Sequence, residues 1–322
     1  MLIVGRRGLL AVAGLTLATG ARAQGSQAIS LVVGYSAGGS ADLVSRIMAS
    51  ELSARLGRSV VVENVAGASG MIAFQRLASN RPDTSTLYFG GFDTVAVPMV
   101  NRNVRLDWER DTIPVSRTTI GGMTFVVPAS SPYRDMAAFI AAARKDGSEA
   151  RSYGSPGVAS AQHFLGELIG ERAGVKLLHS PYRGGNLVVN DLIAGNLDAA
   201  VLVDSTAIPP IQQGTLRALA VSSATRVPQL PDVPTLAELP GFEGVAFPLW
   251  QGIFVRTGTP DAFVQQLDTA IREALGTPAV QKQLSDAGFT ASPLGGEAFR
   301  AFVRQQADGY RSIVTASKLS VE

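Results

Sequence analysis

The stretch from Leu31 to Leu56, LVVGYSAGGSADLVSRIMASELSARL, constrains the fold of this chain more than any other. Leu31, Val32 and Val33 form a continuous apolar run, the mark of a strand buried on both faces. Gly38 and Gly39 allow a tight turn with positive φ. From Leu43 the apolar residues recur as Val44, Ile47, Met48, Leu52 and Leu56, which is helical spacing, and Gly57 stands where a C-terminal cap belongs. A turn of this kind aims the N–H groups of Gly38 to Ala41 beyond the strand end, where they lack intrahelical partners and the helix dipole adds positive charge. An anion suits that position. No Lys follows the glycines as a Walker A loop requires, and GxGxxG is absent. A connection that uses glycine for geometry alone is the competing reading.

Strand-like and helix-like segments alternate through most of the rest. Strands are expected at 59–63, 86–90, 121–128, 151–153, 176–180, 197–203, 216–221 and 250–255. Helices are expected at 69–79, 93–100, 133–145 (stopped by Gly147), 186–194, 206–213, 261–275, 279–287 and 297–316. Residues 225–247 are rich in Pro and Gly and read as irregular, with one short helix near 235–239. This alternation predicts an α/β fold of mostly parallel sheets flanked by helices. A second strand–glycine–helix unit, RSYGSPGVASAQHFLGELIGERAG, begins at Arg151. If each unit tops its own sheet, the two helix N-termini face each other across a cleft, and ligands of open α/β sheets bind beyond the carboxyl ends of the strands. The expectation is a hinged, two-lobed protein of the type II-like binding-protein kind, closing on a small anion.

The first residues, MLIVGRRGLLAVAGLTLATGARAQ, read as an export signal: Arg6 and Arg7, a short apolar run, and Ala21-Arg22-Ala23 as a small-x-small cleavage site. The apolar run is too short to span a membrane. Cleavage after Ala23 is expected, leaving a soluble periplasmic protein; Arg6-Arg7 leaves Sec and twin-arginine export both open. The full chain carries 28 basic and 26 acidic residues; Arg6, Arg7 and Arg22 leave with the signal, so 25 against 26 gives a net charge of −1. The pI near 9.0 therefore belongs to the precursor and is no nucleic-acid footprint. Cysteine is absent, which excludes disulfides and thiolate chemistry. A mature chain of about 300 residues exceeds one core. Its lobes are expected over 27–122 with 250–322, and over 123–249.

These residues also carry a resemblance. GYSAGGSADLVSRIMASELSARLGRSVVVEN, YGSPGVASAQHFLGELIGERAGV, SPYRGG, AGNLDAAV, GTLRALAVSSATRVPQLPDVPTLAELPGFEG and the strand around WQGIF run in order along the whole mature chain. The chain closely resembles the periplasmic substrate-binding proteins of tripartite tricarboxylate transporters, the Bug family. That resemblance implies a small carboxylate held between two lobes by backbone amides of the two glycine turns, helped by ordered waters. It implies no cofactor, a membrane transporter as partner, no nucleic acid and a monomer. By position it implies contacts from Tyr35, Ser36, Ala37, Gly38, Gly39, Ser40 and Asp42 in the first turn. In the second turn it implies Ser155, Pro156, Gly157, Val158, Ala159 and Ser160, and after the third strand Phe92, Asp93 and Thr94. The chain departs from the family where Pro usually replaces Gly34 and Ala37, and in VAGASG (65–70) for RPGAGG. It departs again in DTSTLY (83–88) for DGYTLL, and in Asp204, two places beyond the usual acid position at Leu202.

Individual residues keep two readings. Asp42 complements the helix dipole or contacts a bound water or a ligand hydroxyl or amine. Ser40 and Ser160 donate to a carboxylate or only cap their helices. His163 falls in the first turn of the second helix and faces the cleft or packs. Arg183 pairs with a second ligand carboxylate or braces its loop. Tyr35, Phe92 and Trp250 stack on a flat ligand or belong to the core. His163 and His179 are the only histidines and lie in no metal-ligand spacing. An enzyme reading lacks its parts: YGSPG does not meet GxSxG, and Ser160 and His163 are proximity without a triad. A different class of function, a ligand sensor presented to a membrane histidine kinase, would use the same pocket.

Overall fold

The computed structural model describes residues 27–145 and 150–317. The export signal read at 1–23 and the stop at Gly147 lie outside them. The chain runs β1 (Ile29–Val33), α1 (Ser40–Leu56), β2 (Val60–Asn64), α2 (Met71–Ser79), β3 (Thr86–Gly91), α3 (Phe92–Val100), α4 (Trp108–Asp111), β4 (Thr112–Gly121) and β5 (Met123–Pro128). It continues through α5 (Met136–Ala143), β6 (Ser152–Ser155), α6 (Ala161–Ala173), β7 (Leu178–Pro181), α7 (Gly185–Ile193), β8 (Ala199–Val203), α8 (Asp204–Gln212) and β9 (Leu216–Val221). It ends with β10 (Leu249–Arg256), α9 (Asp261–Leu275), α10 (Pro278–Asp286), β11 (Thr290–Gly295) and α11 (Gly296–Ser317).

Two sheets result, ordered β11-β4-β10-β3-β1-β2 and β7-β6-β8-β5-β9. The first is built from both ends of the chain and the second from its middle, and the only residue between β4 and β5 is Gly122. The expectation of mostly parallel sheets is corrected here. β1 pairs parallel with β2 and β3, and β6 with β7 and β8, but β10, β4, β11, β5 and β9 all pair antiparallel. Parallel pairing needs a crossover, usually helical. The α1, α2, α6 and α7 connections supply one for the four parallel pairs, whereas β10 enters between β3 and β4, and β5 between β8 and β9, in the opposite sense.

Two strands escape the sequence reading. β4 is TIPVSRTTIG, with Thr and Ser where a buried strand would show aliphatic residues. Ser116, Thr118 and Thr119 are nevertheless fully buried. Two of their hydroxyls find partners on β10: Thr118 Oγ1 donates to the Gln251 carbonyl (3.1 Å) and Thr119 Oγ1 to Gln251 Oε1 (2.9 Å). Buried hydroxyls are tolerated when bonded in this way. β11 carries Pro293 and pairs with β4 across a register shift at the sheet edge, the place a sheet accepts proline.

The central core runs through both halves. Tyr88, Phe74, Trp250 and Phe254 on one side and Phe125, Tyr153 and Phe164 on the other are at most 1% exposed. Phe92 joins them, its ring centroid 4.9 Å from Phe164, 5.7 Å from Phe247 and 4.5 Å from Tyr310. Tyr310 comes from α11 and accepts the Trp250 indole N–H at 2.8 Å. Trp250 is therefore core, with Phe254, Phe299 and Phe302 around it.

Where β1 ends, Gly34 meets Gly70. A Cβ on Gly34 would lie 2.5 Å from the Gly70 Cα, and Gly70 itself sits at φ +87°. Glycine at position 34 is the residue that permits this approach. Gly34→Ala is expected to cost about 1–3 kcal/mol by overpacking against backbone. Urea denaturation reads this directly; an unchanged midpoint would mean that the 65–70 loop moves aside freely.

Candidate functional site

The first turn is built around a buried carboxylate. Asp42, 4% exposed, accepts from Gly38 N–H (2.9 Å), Arg46 Nε (3.0 Å) and Asn64 Nδ2 (3.0 Å). Burial pushes its carboxyl up, but the hydrogen bonds from Arg46, Gly38 and Asn64 outweigh that and hold it below the usual carboxylate range. Asp42 is thus the brace of the turn. The amide of Gly38, expected to face a ligand, is taken up inside it. The amides that remain without a partner among the described residues are those of Gly39, Ser40, Ala41 and Asp42, the N-cap and first turn of α1. Tyr35 to Gly39 are exposed on the same turn.

The second turn is largely closed on itself. Ser160 caps α6, its Oγ accepting from His163 N–H (3.3 Å) and donating to the Gly157 carbonyl (2.8 Å). Gly157 N–H donates to Ser155 Oγ (3.3 Å), Ser160 N–H to the Gly157 carbonyl (3.3 Å) and Ala159 N–H to His163 Nδ1 (3.0 Å). Pro156 has no N–H. Within 156–160 that leaves Val158 N–H without a partner among the described residues. The Val158 carbonyl accepts from Ser69 Oγ at 2.7 Å, which ties the second turn to the 65–70 loop of the first half. Ala159 sits at φ +60°, outside the usual range for a residue with a Cβ.

Both histidines lie beneath this turn, stacked with centroids 3.7 Å apart. His163 Nδ1 accepts from Ala159, which assigns the Nε2-protonated tautomer; Nε2 faces Glu167 at 3.8 Å. His179 Nε2 lies 2.7 Å from Ser155 Oγ. Burial, and for His163 the neighbouring imidazole, drives them down to about 3 and about 4. Both are neutral at pH 7 and serve the turn's structure. Ser155 is fully buried, and its hydroxyl is taken up by His179 and the Gly157 carbonyl.

The third strand ends in the group with the most perturbed acid. Asp93 is 7% exposed in the first turn of α3, and burial raises it to about 7. The Tyr35 phenol faces it from the first turn, while the Tyr35 side chain as a whole stays partly exposed. Thr94 Oγ1 accepts from the Gly91 N–H at 3.1 Å and donates to Tyr88 Oη at 3.2 Å, so it fastens the helix start. Phe92, expected at the ligand, is packed on three sides by rings in the seam between the halves. Arg183 is exposed just after Tyr182, whose carbonyl borders Gly157, and it has no partner among the described residues. Asp204 opens α8 against Gly122, accepts from Thr124 Oγ1 at 2.7 Å, and is raised by burial to about 6. Sequence reasoning missed Asn64, Ser69 and Gly70. The glycine-containing loop VAGASG (65–70), which holds Ser69 and Gly70, is the signal that points to them.

His163 carries a pH signature. Its folded pKa lies below the unfolded value near 6.5, so the stability from keeping it neutral is present above pH 6.5 and lost as pH falls toward 3. The advantage of wild type over His163→Gln should shrink by up to about 1.4 kcal/mol per pH unit below that point. Urea titrations at pH 7.5, 6 and 5 test this; parallel slopes would exclude His163 as the group.

Among the described residues no helix is long and apolar enough to cross a membrane, and no three His, Cys, Asp or Glu gather as a metal site. The chain is 32% identical over 323 residues to the UPF0065 protein in tcbD-tcbE intergenic region from a Pseudomonas species, covering 98% of this chain and 96% of that one. The solved R. palustris protein with adipate superposes with a TM-score of 0.85 at 27% identity, covering 92% and 98% of the two chains. MatC from Rhodopseudomonas palustris with bound malate superposes at 0.78 and 25% identity, covering 90% and 99%. Residues 44–319 match the family described as "Tripartite tricarboxylate transporter family receptor", and the chain belongs to that family of periplasmic binding proteins.

Proposed function

We propose that this chain is a periplasmic receptor for a small carboxylate, held between two lobes and delivered to a membrane transporter of the tripartite class. The observation that carries the reading is the row of amides from Gly39 to Asp42, unpartnered at the head of a seventeen-residue helix. Carboxylate oxygens accept such N–H groups, and the helix dipole favours the charge. Val158 N–H on the second turn adds a donor from the other half. Related proteins solved with adipate and with malate support the same ligand class. In this reading the lobes are 27–122 with 250–322, and 123–249, the protein is monomeric, and the export signal leaves after Ala23.

Thermal unfolding of the mature protein against a panel of carboxylic acids, with the corresponding amides as controls, tests the reading. An acid at about 100 times its Kd should add roughly 2.7 kcal/mol, and its amide should add nothing. Gly39→Val should cut affinity for that acid at least tenfold. Gly39 has φ −83° and ψ 171°, open to any residue, and its Cβ would sit 3.5 Å from the Ser36 carbonyl, so the fold should persist. Affinity within a few-fold of wild type would place the site elsewhere. Delivery is read by uptake of the labelled acid in a deletion strain; undiminished uptake would refute the transport role.

A further inference from the structure

Asp93 has a feature that anion capture does not explain. It is a carboxyl more than nine-tenths buried, and no Lys, Arg or His among the described residues pairs with it. The groups that face it are Tyr35 from the first turn, Tyr88 from β3, Tyr310 from α11 and the backbone of Gly70. It lies within one residue of both turns. The Tyr35 hydroxyl reaches it from the first, and a Cβ on Gly70 would meet its Oδ2 at 2.4 Å, next to Ser69, which bonds the second. A buried carboxylate without a cation is costly, and neutral hydroxyls relieve only part of the cost.

We propose that Asp93 receives an ammonium group of the ligand, so that this chain takes an amino acid in preference to the matching plain acid. The inference rests on the carboxylate reading and narrows it: the first turn takes the carboxylate and Asp93 the amine. Opposite charges at the two ends match one anion-seeking group, the open amides of the first turn, and one cation-seeking group, Asp93, which faces Tyr35 of that same turn. The idea has a thermodynamic sign. Burial raises the free carboxyl to about 7, so its protonated form is populated near neutral pH. A bound ammonium drives Asp93 to its ionised form and expels that proton. A second ligand carboxylate in the same place would instead draw a proton in.

Calorimetry of the mature protein at pH 7.5, in buffers of different ionisation enthalpy, separates these outcomes. The probes are matched pairs: L-glutamate with glutarate, L-aspartate with succinate, 4-aminobutyrate with butyrate, and L-phenylalanine with 3-phenylpropionate. At least one amino member should bind ten times more tightly than its partner and release protons. Asp93→Asn should reduce that preference below threefold. A plain acid that binds more tightly, proton uptake on binding, or a preference that survives in Asp93→Asn would overturn the proposal while the carboxylate reading stands. Failure of all four amino members to bind would overturn the proposal, and failure of the whole carboxylic-acid panel as well would overturn both. The proton count uses wild type alone, so the test holds even if the variant does not fold.

Discussion

An ionised carboxylate beneath the first glycine turn fixes the geometry on which the site depends. Asp42 draws in Gly38 N–H, the Arg46 guanidinium and the Asn64 amide at 2.9–3.0 Å. Asn64 also donates to the Tyr35 carbonyl at 3.0 Å, so the end of β2 is clamped to the turn that follows β1. With the inner face of the turn bonded in this way, the amides of Gly39 to Asp42 are left without a partner among the described residues. Removing the carboxylate would release a glycine-rich loop with little else to order it.

The two turns do different work although their sequences look alike. The first leaves its donors open; the second ties its own to Ser155, Gly157 and His163. The second turn is accordingly a rigid wall, backed by the stacked histidines and held in a strained Ala159 conformation. Contact between the halves is made by Ser69 on Val158 and by the aromatic seam at Phe92. Phe92 and Asp93 are neighbours at the start of α3. Any motion that separates Phe92 from Phe164 therefore acts one residue from the buried acid.

The legible parts of this protein were its local units. The apolar run at Leu31–Val33, the glycines and the 3.6-residue spacing through α1 gave a strand, turn and helix whose bounds the structure nearly reproduces, down to Gly57 at φ 61°. The same reasoning failed on β4, because Ser116, Thr118 and Thr119 are buried only by virtue of β10 alongside. Periodicity reports a residue's own preference, whereas a hydroxyl's satisfaction depends on a partner more than a hundred residues away. Mixed sheet polarity escaped for a similar reason: it is set by which distant strands pair, such as β10 between β3 and β4 and β5 between β8 and β9.

At the site, the sequence by itself determined that two glycine turns would head two helices and that charge would favour an anion there, since both follow from local backbone chemistry. The tertiary structure decided which amides are open. Gly38 is closed off by Asp42 and Asn64, and Gly157 and Ala159 by side chains of the second turn. It also decided that Phe92 joins the core seam while Asp93, its neighbour, is buried beside Tyr35 and Tyr88 with no cation among the described residues. Sequence could place an acid at position 93, but burial and the choice of neighbours, which set its proton affinity, come from four separate stretches of chain meeting in space.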